Sequence, residues 1–298
     1  MEDVGDEFGT SVSMNYAGNI VAFGAPKYGS TDFGQVKLFC WNGPNDIWNN
    51  WGTLNGYANN DSFGHSISLN QDGSRLAVGA PYADPSSLSD AGEVRIYCHN
   101  GSQYVQLGTQ PISGEVANDR VGYSLAINGD GNRVIVGAPF SATSKGKAMV
   151  YEYNSSSNTW IKLGQNISGE NDGDRFGWSV SINNAGNRVV IGAPYSSPEG
   201  KKYIGQTYVY CWNASSWVLL GSPIQGENNR LDPTVSYPDV YYAGCDQAGY
   251  AVSMNCLGDR IAIGAYENDS VNMDKNPRTQ ANAGQVRIYH DYLSNNRS

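Results

Sequence analysis

Five aspartates occupy one equivalent place in this chain. Asp6, Asp61, Asp119, Asp174 and Asp246 each stand two residues before the apolar member of an apolar–glycine pair. If the five segments surround a common axis, these carboxylates ring its mouth and attract a cation. An aspartate placed before a strand also accepts backbone N–H groups in a turn, and the sequence accommodates both roles. A second set lies in two long insertions, 227–249 and 267–284. Tyr237, Asp239, Tyr241 and Tyr242 fall in the first, and Asp269, Asp274, Lys275 and Arg278 in the second. Aromatic rings beside carboxylates and amides suit a sugar or a peptide; a purely covering role for these loops competes with that reading. Aromatic residues also recur at two repeated positions. His65, Tyr123, Trp178 and Tyr250 directly follow the glycine of the pair, and Trp48, Tyr104, Trp160 and Trp217 open a later apolar run. Packing and sugar stacking are both open to such rings.

Signals for catalysis are sparse. His65, His99 and His290 share no metal-ligand spacing, and neither a G-x-S-x-G elbow nor a phosphate-cradling glycine loop is present. Two carboxylates brought together by loops are the catalytic arrangement left open, which keeps a glycan-active enzyme as a third reading. The sequence therefore predicts a non-catalytic protein with no cofactor and no bound metal. A formal net charge of −9 without a Lys/Arg cluster argues against nucleic acid or an anionic membrane as partner. No apolar run is long enough for a membrane span, and MEDVGDEFG has neither the basic nor the apolar region of a leader, so membrane insertion is not expected and further domains of a longer chain are. Cys40, Cys98 and Cys211 repeat one strand position, while Cys245 and Cys256 flank a strand; disulfides are not expected at those separations. N-x-S/T triplets at Asn60, Asn100, Asn154, Asn166, Asn213 and Asn268 fit a chain outside the cell or on a particle surface.

The elements that position these residues repeat. The glycine of the pair falls at Gly9, Gly64, Gly122, Gly177 and Gly249, giving spacings of 55, 58, 55 and 72. Periods of this size mark solenoids or propellers. Within a copy, a run such as SVSIN alternates small polar with apolar residues, NRVVIGAP is β-branched, a third run such as GEVRIY follows, and WIKLGQNISGE supplies a fourth; no helical period is present. Four short strands per copy make a propeller blade, and one blade cannot cover both its faces, so the phrase recurs until a ring closes. Asn15, Asn70, Asn128, Asn183 and Asn255 each open a reversal that ends in glycine, as a tight hairpin requires.

FGTSVSMN followed by FGAP, FGHSISLN by VGAP, VGYSLAIN by VGAP, FGWSVSIN by IGAP and AGYAVSMN by IGAY resemble FG-GAP repeats, the modules of the integrin α-subunit propeller. The resemblance spans the chain and implies an all-β propeller. The copy count makes five four-stranded blades, approximately 6–60, 61–118, 119–173, 174–245 and 246–298, the last lacking its outer strand; a segment of a larger ring is the other reading of the same count. The resemblance also implies calcium loops between the first two strands. Here those loops are only NYAGN, NQDGS, NGDGN, NNAGN and NCLGD, which offer too few acidic oxygens.

Strand direction puts the variable loops on one face and the Asn-to-Gly hairpins on the other, so the loop face is the expected recognition surface. The expected function is an interaction or scaffold module that presents this face to a protein or carbohydrate partner. A lectin-like glycan binder is the alternative.

Overall fold

The computed structural model describes residues 5–200, 203–227, 246–267 and 284–290. They form five antiparallel sheets in chain order, the blades of a β-propeller. Blade one comprises β1 (Ser11–Met14), β2 (Ile20–Ala25), β3 (Gln35–Asn42) and β4 (Ile47–Asn55). Blade two has β5 (Ser66–Leu69), β6 (Arg75–Ala80), β7 (Glu93–His99) and β8 (Tyr104–Gln106), with the short β9 (Ile112–Ser113) also pairing β7. Blade three repeats that plan with β10 (Ser124–Ile127), β11 (Arg133–Ala138), β12 (Lys147–Asn154), β13 (Thr159–Lys162) and β14 (Ile167–Ser168). Blade four does so with β15 (Ser179–Ile182), β16 (Arg188–Ala193), β17 (Gln206–Trp212), β18 (Trp217–Leu219) and β19 (Ile224–Gln225). Blade five has three strands among the described residues: β20 (Ala251–Met254), β21 (Arg260–Ala265) and β22 (Gln285–His290).

Local chemistry sets the turns at both ends of each inner hairpin. At the lower end the asparagine side chain closes the loop: Asn70 Oδ1 accepts the Arg75 N–H at 2.8 Å and Asn128 Oδ1 accepts that of Arg133 at 2.8 Å. The following glycine has left-handed φ, +79° at Gly73, which an L side chain adopts only under strain. At the upper end the glycine of the FG-type pair takes the third position of a turn with φ near +90°, and the next residue donates back, as His65 N–H does to Ser62 O at 3.1 Å. That geometry belongs to a type II turn. It places the aromatic residue after the glycine at the start of the innermost strand.

Neighbouring blades join by one recurring contact. Ser11 Oγ donates to Gly64 O at 2.6 Å, Ser66 to Gly122 at 2.7 Å, Ser124 to Gly177 at 2.8 Å and Ser179 to Gly249 at 2.7 Å. The same carbonyl lies where a Cβ on the GAP-type glycine would sit, 2.2 Å away at Gly79 and 2.1 Å at Gly137. The glycine of GAP in one blade and the glycine of FG in the next are thus two sides of one joint. Apolar clusters fill the four joints. Val36 and Leu38 meet Ile67 and Leu69; Val94 and Ile96 meet Leu125 and Ile127; Val150 meets Val180 and Ile182; Val209 meets Met254 and Ile263.

The copy count left a closed five-bladed ring and a segment of a larger ring both open. The innermost strands pack in series, β1 on β5, β5 on β10, β10 on β15 and β15 on β20, without comparable packing of β20 on β1. Among the described residues the five blades form an arc with two open ends.

The joint makes a testable demand on glycine. Gly137→Ala drives a methyl group into the Gly177 carbonyl and is expected to destabilise the protein by roughly 3 kcal/mol or more. Gly264 is the equivalent in blade five and has only Ala251 of its own blade nearby, at 3.4 Å, so Gly264→Ala should cost under about 1 kcal/mol. Urea titrations of the two variants check this, and equal losses would refute the joint.

Candidate functional site

Ser11 pairs with Gly24 and Ser66 with Gly79, so strand one of each blade starts where strand two ends. The residue after the FG-type glycine therefore shares a face with the loop between strands two and three. On that face the repeated aromatics meet one another across blades. His65 lies 4.8 Å from Tyr123 between ring centroids, Tyr123 4.9 Å from Trp178, and Trp178 5.5 Å from Tyr250. The result is an arc of rings across blades two to five, ending in blade one at Thr10. All four rings are partly exposed. A second row flanks them: Tyr82 contacts His65, Phe140 contacts Tyr123, Tyr195 contacts Trp178, and Tyr266 contacts Tyr250 at 4.3 Å.

Two guanidinium groups sit on the arc. Arg120 lies over Tyr82 at 4.7 Å and over Phe140 at 4.5 Å, while Arg175 lies over Tyr195 at 4.2 Å and Trp178 at 5.4 Å. Both occupy the first position of the type II turn with φ of +54°, unusual for a side chain of this size. Glu7, Ser62 and Gln247 share that conformation in the other blades, so the strain belongs to the repeat and only the side chain varies. Burial, with Arg120 adding to it, holds the His65 imidazole below its usual pKa, so it is neutral at pH 7.

Open clefts occupy equivalent positions on this face at two joints. The one between blades three and four, about 650 Å³, is lined by Ser144, Asp172, Arg175, Tyr195 and Tyr203. Its counterpart between blades one and two, about 310 Å³, is lined by Asp32, Ser62, His65, Tyr82 and Asp90. Tyr82 corresponds to Tyr195, but Asp32 and Asp90 face the smaller cleft where Ser144 and Tyr203 face the larger one. The scaffold repeats and the chemistry does not.

The recurring aspartates are buried. Asp61 accepts the Ala58 N–H at 3.0 Å, Asp174 that of Asn171 at 3.0 Å, and Asp246 that of Glu227. Asp119 takes the Lys147 ammonium at 2.6 Å, and Asp246 also takes the Arg287 guanidinium at 3.1 Å. Among the described residues no three His, Cys, Asp or Glu side chains cluster as a metal would need. Tyr237, Asp239, Tyr241, Tyr242, Asp269, Asp274, Lys275 and Arg278 lie outside the described residues. The outer-strand rings stitch blades together: the Trp160 indole donates to Leu107 O at 3.0 Å and that of Trp217 to Leu163 O at 2.9 Å. Cys40, Cys98, Cys211 and Cys256 carry free thiols.

Sequence reasoning missed Arg120, Arg175 and the second row. Its signal was present as the aromatic residue after GAP, namely Tyr82, Phe140 and Tyr195.

Residues 168–210, which span β15 to β17 of blade four, match the FG-GAP repeat family model. No curated protein matches the chain. Among solved structures it is similar to a Bacteroides fragilis protein described as a candidate 6-phosphogluconolactonase, at a TM-score of 0.49 and 11% identity over 72% of this chain and 54% of that one. The chain thus spans about half the length of that protein. The class defined is a β-propeller that carries an FG-GAP repeat.

Burial pushes the Asp61 carboxyl up to about 6, against the Ala58 hydrogen bond, and burial raises Asp174 as well. A carboxyl with a raised value binds more protons folded than unfolded, so its contribution to stability falls as pH rises from about 4 to about 6. Asp61→Asn keeps the acceptor and removes the charge. Relative to the parent, it should gain up to roughly 3 kcal/mol between pH 4 and pH 7. Urea denaturation at each pH measures the difference, and parallel curves for the two proteins would refute it.

Proposed function

We propose that the chain is a non-catalytic interaction module that holds a protein or carbohydrate partner on its loop face. The observation that supports this reading is the arc of His65, Tyr123, Trp178 and Tyr250, a continuous set of partly exposed rings on a rigid scaffold. Rings fixed by the type II turns lose little side-chain freedom on binding, which favours recognition by stacking. Arg175 places a guanidinium on the arc beside the larger cleft, whereas Arg120 is paired with Asp90 at 3.4 Å. A partner with an acidic or hydroxyl-rich group beside a flat apolar face therefore suits the blade-four end best.

The lectin-like alternative draws on the same rings, since aromatic platforms stack on sugar faces. A lectin with one pocket per blade would need repeated polar partners, and the Asp32/Asp90 and Ser144/Tyr203 clefts differ. One site centred on blades three and four, beside the larger cleft, is the better fit to this asymmetry.

A glycan array and a displayed-peptide library are the screens of choice. The affinity of any ligand recovered should fall at least about tenfold in Trp178→Ala, equivalent to about 1.4 kcal/mol. It should not change in Trp51→Ala, because Trp51 stacks on His99 in the outer part of blades one and two, at 4.8 Å. Binding insensitive to Trp178→Ala would remove the arc from the site, and binding lost in both variants would point to general destabilisation.

A further inference from the structure

Arg120 and Arg175 occupy one place in the repeat and are partnered differently. Both have a φ of +54°, and the backbone N–H of each donates to the preceding blade, Arg120 to Asp90 O at 3.1 Å and Arg175 to Ser144 O at 2.9 Å. Asp90 and Ser144 in turn share a left-handed φ, +49° and +62°. Each guanidinium touches the rings that follow GAP in its own blade and in the one before. Arg120 lies 4.5 Å from Phe140 and 4.7 Å from Tyr82, and Arg175 lies 4.2 Å from Tyr195 and 5.3 Å from Phe140. The two joints thus match in backbone and in ring contacts.

They differ in one side chain. The Asp90 carboxylate accepts from the Arg120 guanidinium at 3.4 Å. Ser144 stands at the corresponding place before Arg175, and among the described residues no hydrogen bond or ion pair engages the Arg175 guanidinium. Contact with Phe140, Trp178 and Tyr195 restricts this side chain without using its N–H groups. It stays charged at any physiological pH and presents its donors as a planar fork to the cleft it lines. The fold itself therefore supplies the template: at the joint before, the group set against this guanidinium is a carboxylate.

Building on the reading of the loop face as a recognition surface, we infer that the cleft between blades three and four binds a carboxylate-bearing sugar. Its carboxylate takes the part at Arg175 that Asp90 takes at Arg120. The rest of the lining favours a sugar acid over an acidic side chain of a peptide. Asp172 is exposed in the same cleft, so the ligand must bring hydroxyl donors close to its own carboxylate. A sugar acid carries both on one rigid ring, whereas an aspartate or glutamate side chain carries the carboxylate alone. Ser144 and Asn171 add a hydroxyl and an amide, and the Tyr203 ring, 38% exposed, offers a surface for the sugar face. At about 650 Å³ the cleft has the size of a small-molecule site. The equivalent cleft between blades one and two has Ser62 in place of the arginine, and its Asp32 pairs with Lys27 at 3.0 Å. One site per chain follows.

Isothermal titration calorimetry of the full chain with digalacturonic acid and with glucuronic-acid-containing disaccharides, set against lactose and cellobiose, tests this. The acids should bind at one site per chain, and the neutral sugars at least about tenfold more weakly. Arg175→Gln should remove the preference for the acids. Ser144→Asp rebuilds the Arg120–Asp90 pair inside the larger cleft, on a backbone that aspartate already adopts at Asp90, and should weaken acid binding at least about tenfold with the melting transition unchanged. Ser144→Asn, equal in size but neutral, should lose less. Equal losses in Ser144→Asp and Ser144→Asn, or acids that bind no better than neutral sugars, would overturn the inference. An aspartate-rich peptide that displaces the disaccharides at lower concentration would overturn the assignment to a sugar. A ligand lost in Trp178→Ala yet indifferent to Ser144→Asp would also overturn it, while leaving the interaction module in place. Acid binding lost in Ser144→Asp but kept in Trp178→Ala would support the carboxylate site and remove the arc from it.

Discussion

The structure depends on one crowded contact, in which the FG-type carbonyl of one blade is held against the GAP-type glycine of the blade before it. The Gly64 carbonyl accepts the Ser11 hydroxyl and leaves no room for a Cβ at Gly24. A single hydrogen bond of this type contributes about 1 kcal/mol net. Its larger effect is on spacing. With no side chain between the two backbones, the innermost strands come close enough for Val36, Leu38, Ile67 and Leu69 to exclude water, and burial of those side chains supplies most of the stabilisation. Serine suits this place because its side chain is short and still satisfies a carbonyl that would otherwise be buried without a donor.

The same contact orients the aromatic arc. The FG-type glycine must sit at the third position of a type II turn for its carbonyl to reach the neighbouring blade. That turn fixes the backbone of the next residue, and four of the five blades place a ring there. Because each joint has the same geometry, successive rings fall at centroid distances of 4.8 to 5.5 Å without any further device. The residue two places before the glycine is carried in the left-handed region at every copy, so side chains as different as those of Arg175 and Ser62 project from an identical backbone. Recognition chemistry can vary there while the fold is unchanged.

Much of this was legible in the residues. The alternation of SVSIN, the β-branched NRVVIG and the Asn-to-Gly reversals specify strands and hairpins locally, and their repetition specifies blades. The relation of FG to GAP was not legible, because the two glycines that touch lie in different copies and no local pattern reports their register. The arc was hidden for the same reason. His65, Tyr123, Trp178 and Tyr250 were seen to share a position, but their stacking requires the distance between blades. The aspartates show the reverse: two readings were open in sequence, and the neighbours that Asp61, Asp119 and Asp174 engage become apparent only once the turns are built. The loop residues around Tyr241 and Asp274 fall outside the described residues, so they add nothing to the account of the arc.

Blade five departs from the repeat at one of the joint positions. Its third strand keeps the apolar pattern of the others, with Val286 and Ile288 in register with Val36 and Leu38, yet Ala251 has replaced the serine that would hold the next carbonyl. Blade one departs at the matching place: Thr10 stands where other blades have His, Tyr or Trp. Both departures fall where no joint is formed among the described residues. Elsewhere, where a neighbour is present, serine recurs at its place in all four blades and the ring in all but blade one. The residues that vary with the presence of a neighbour are those that touch one, which is the pattern expected if blade-to-blade packing, rather than strand formation, sets the requirement at these positions.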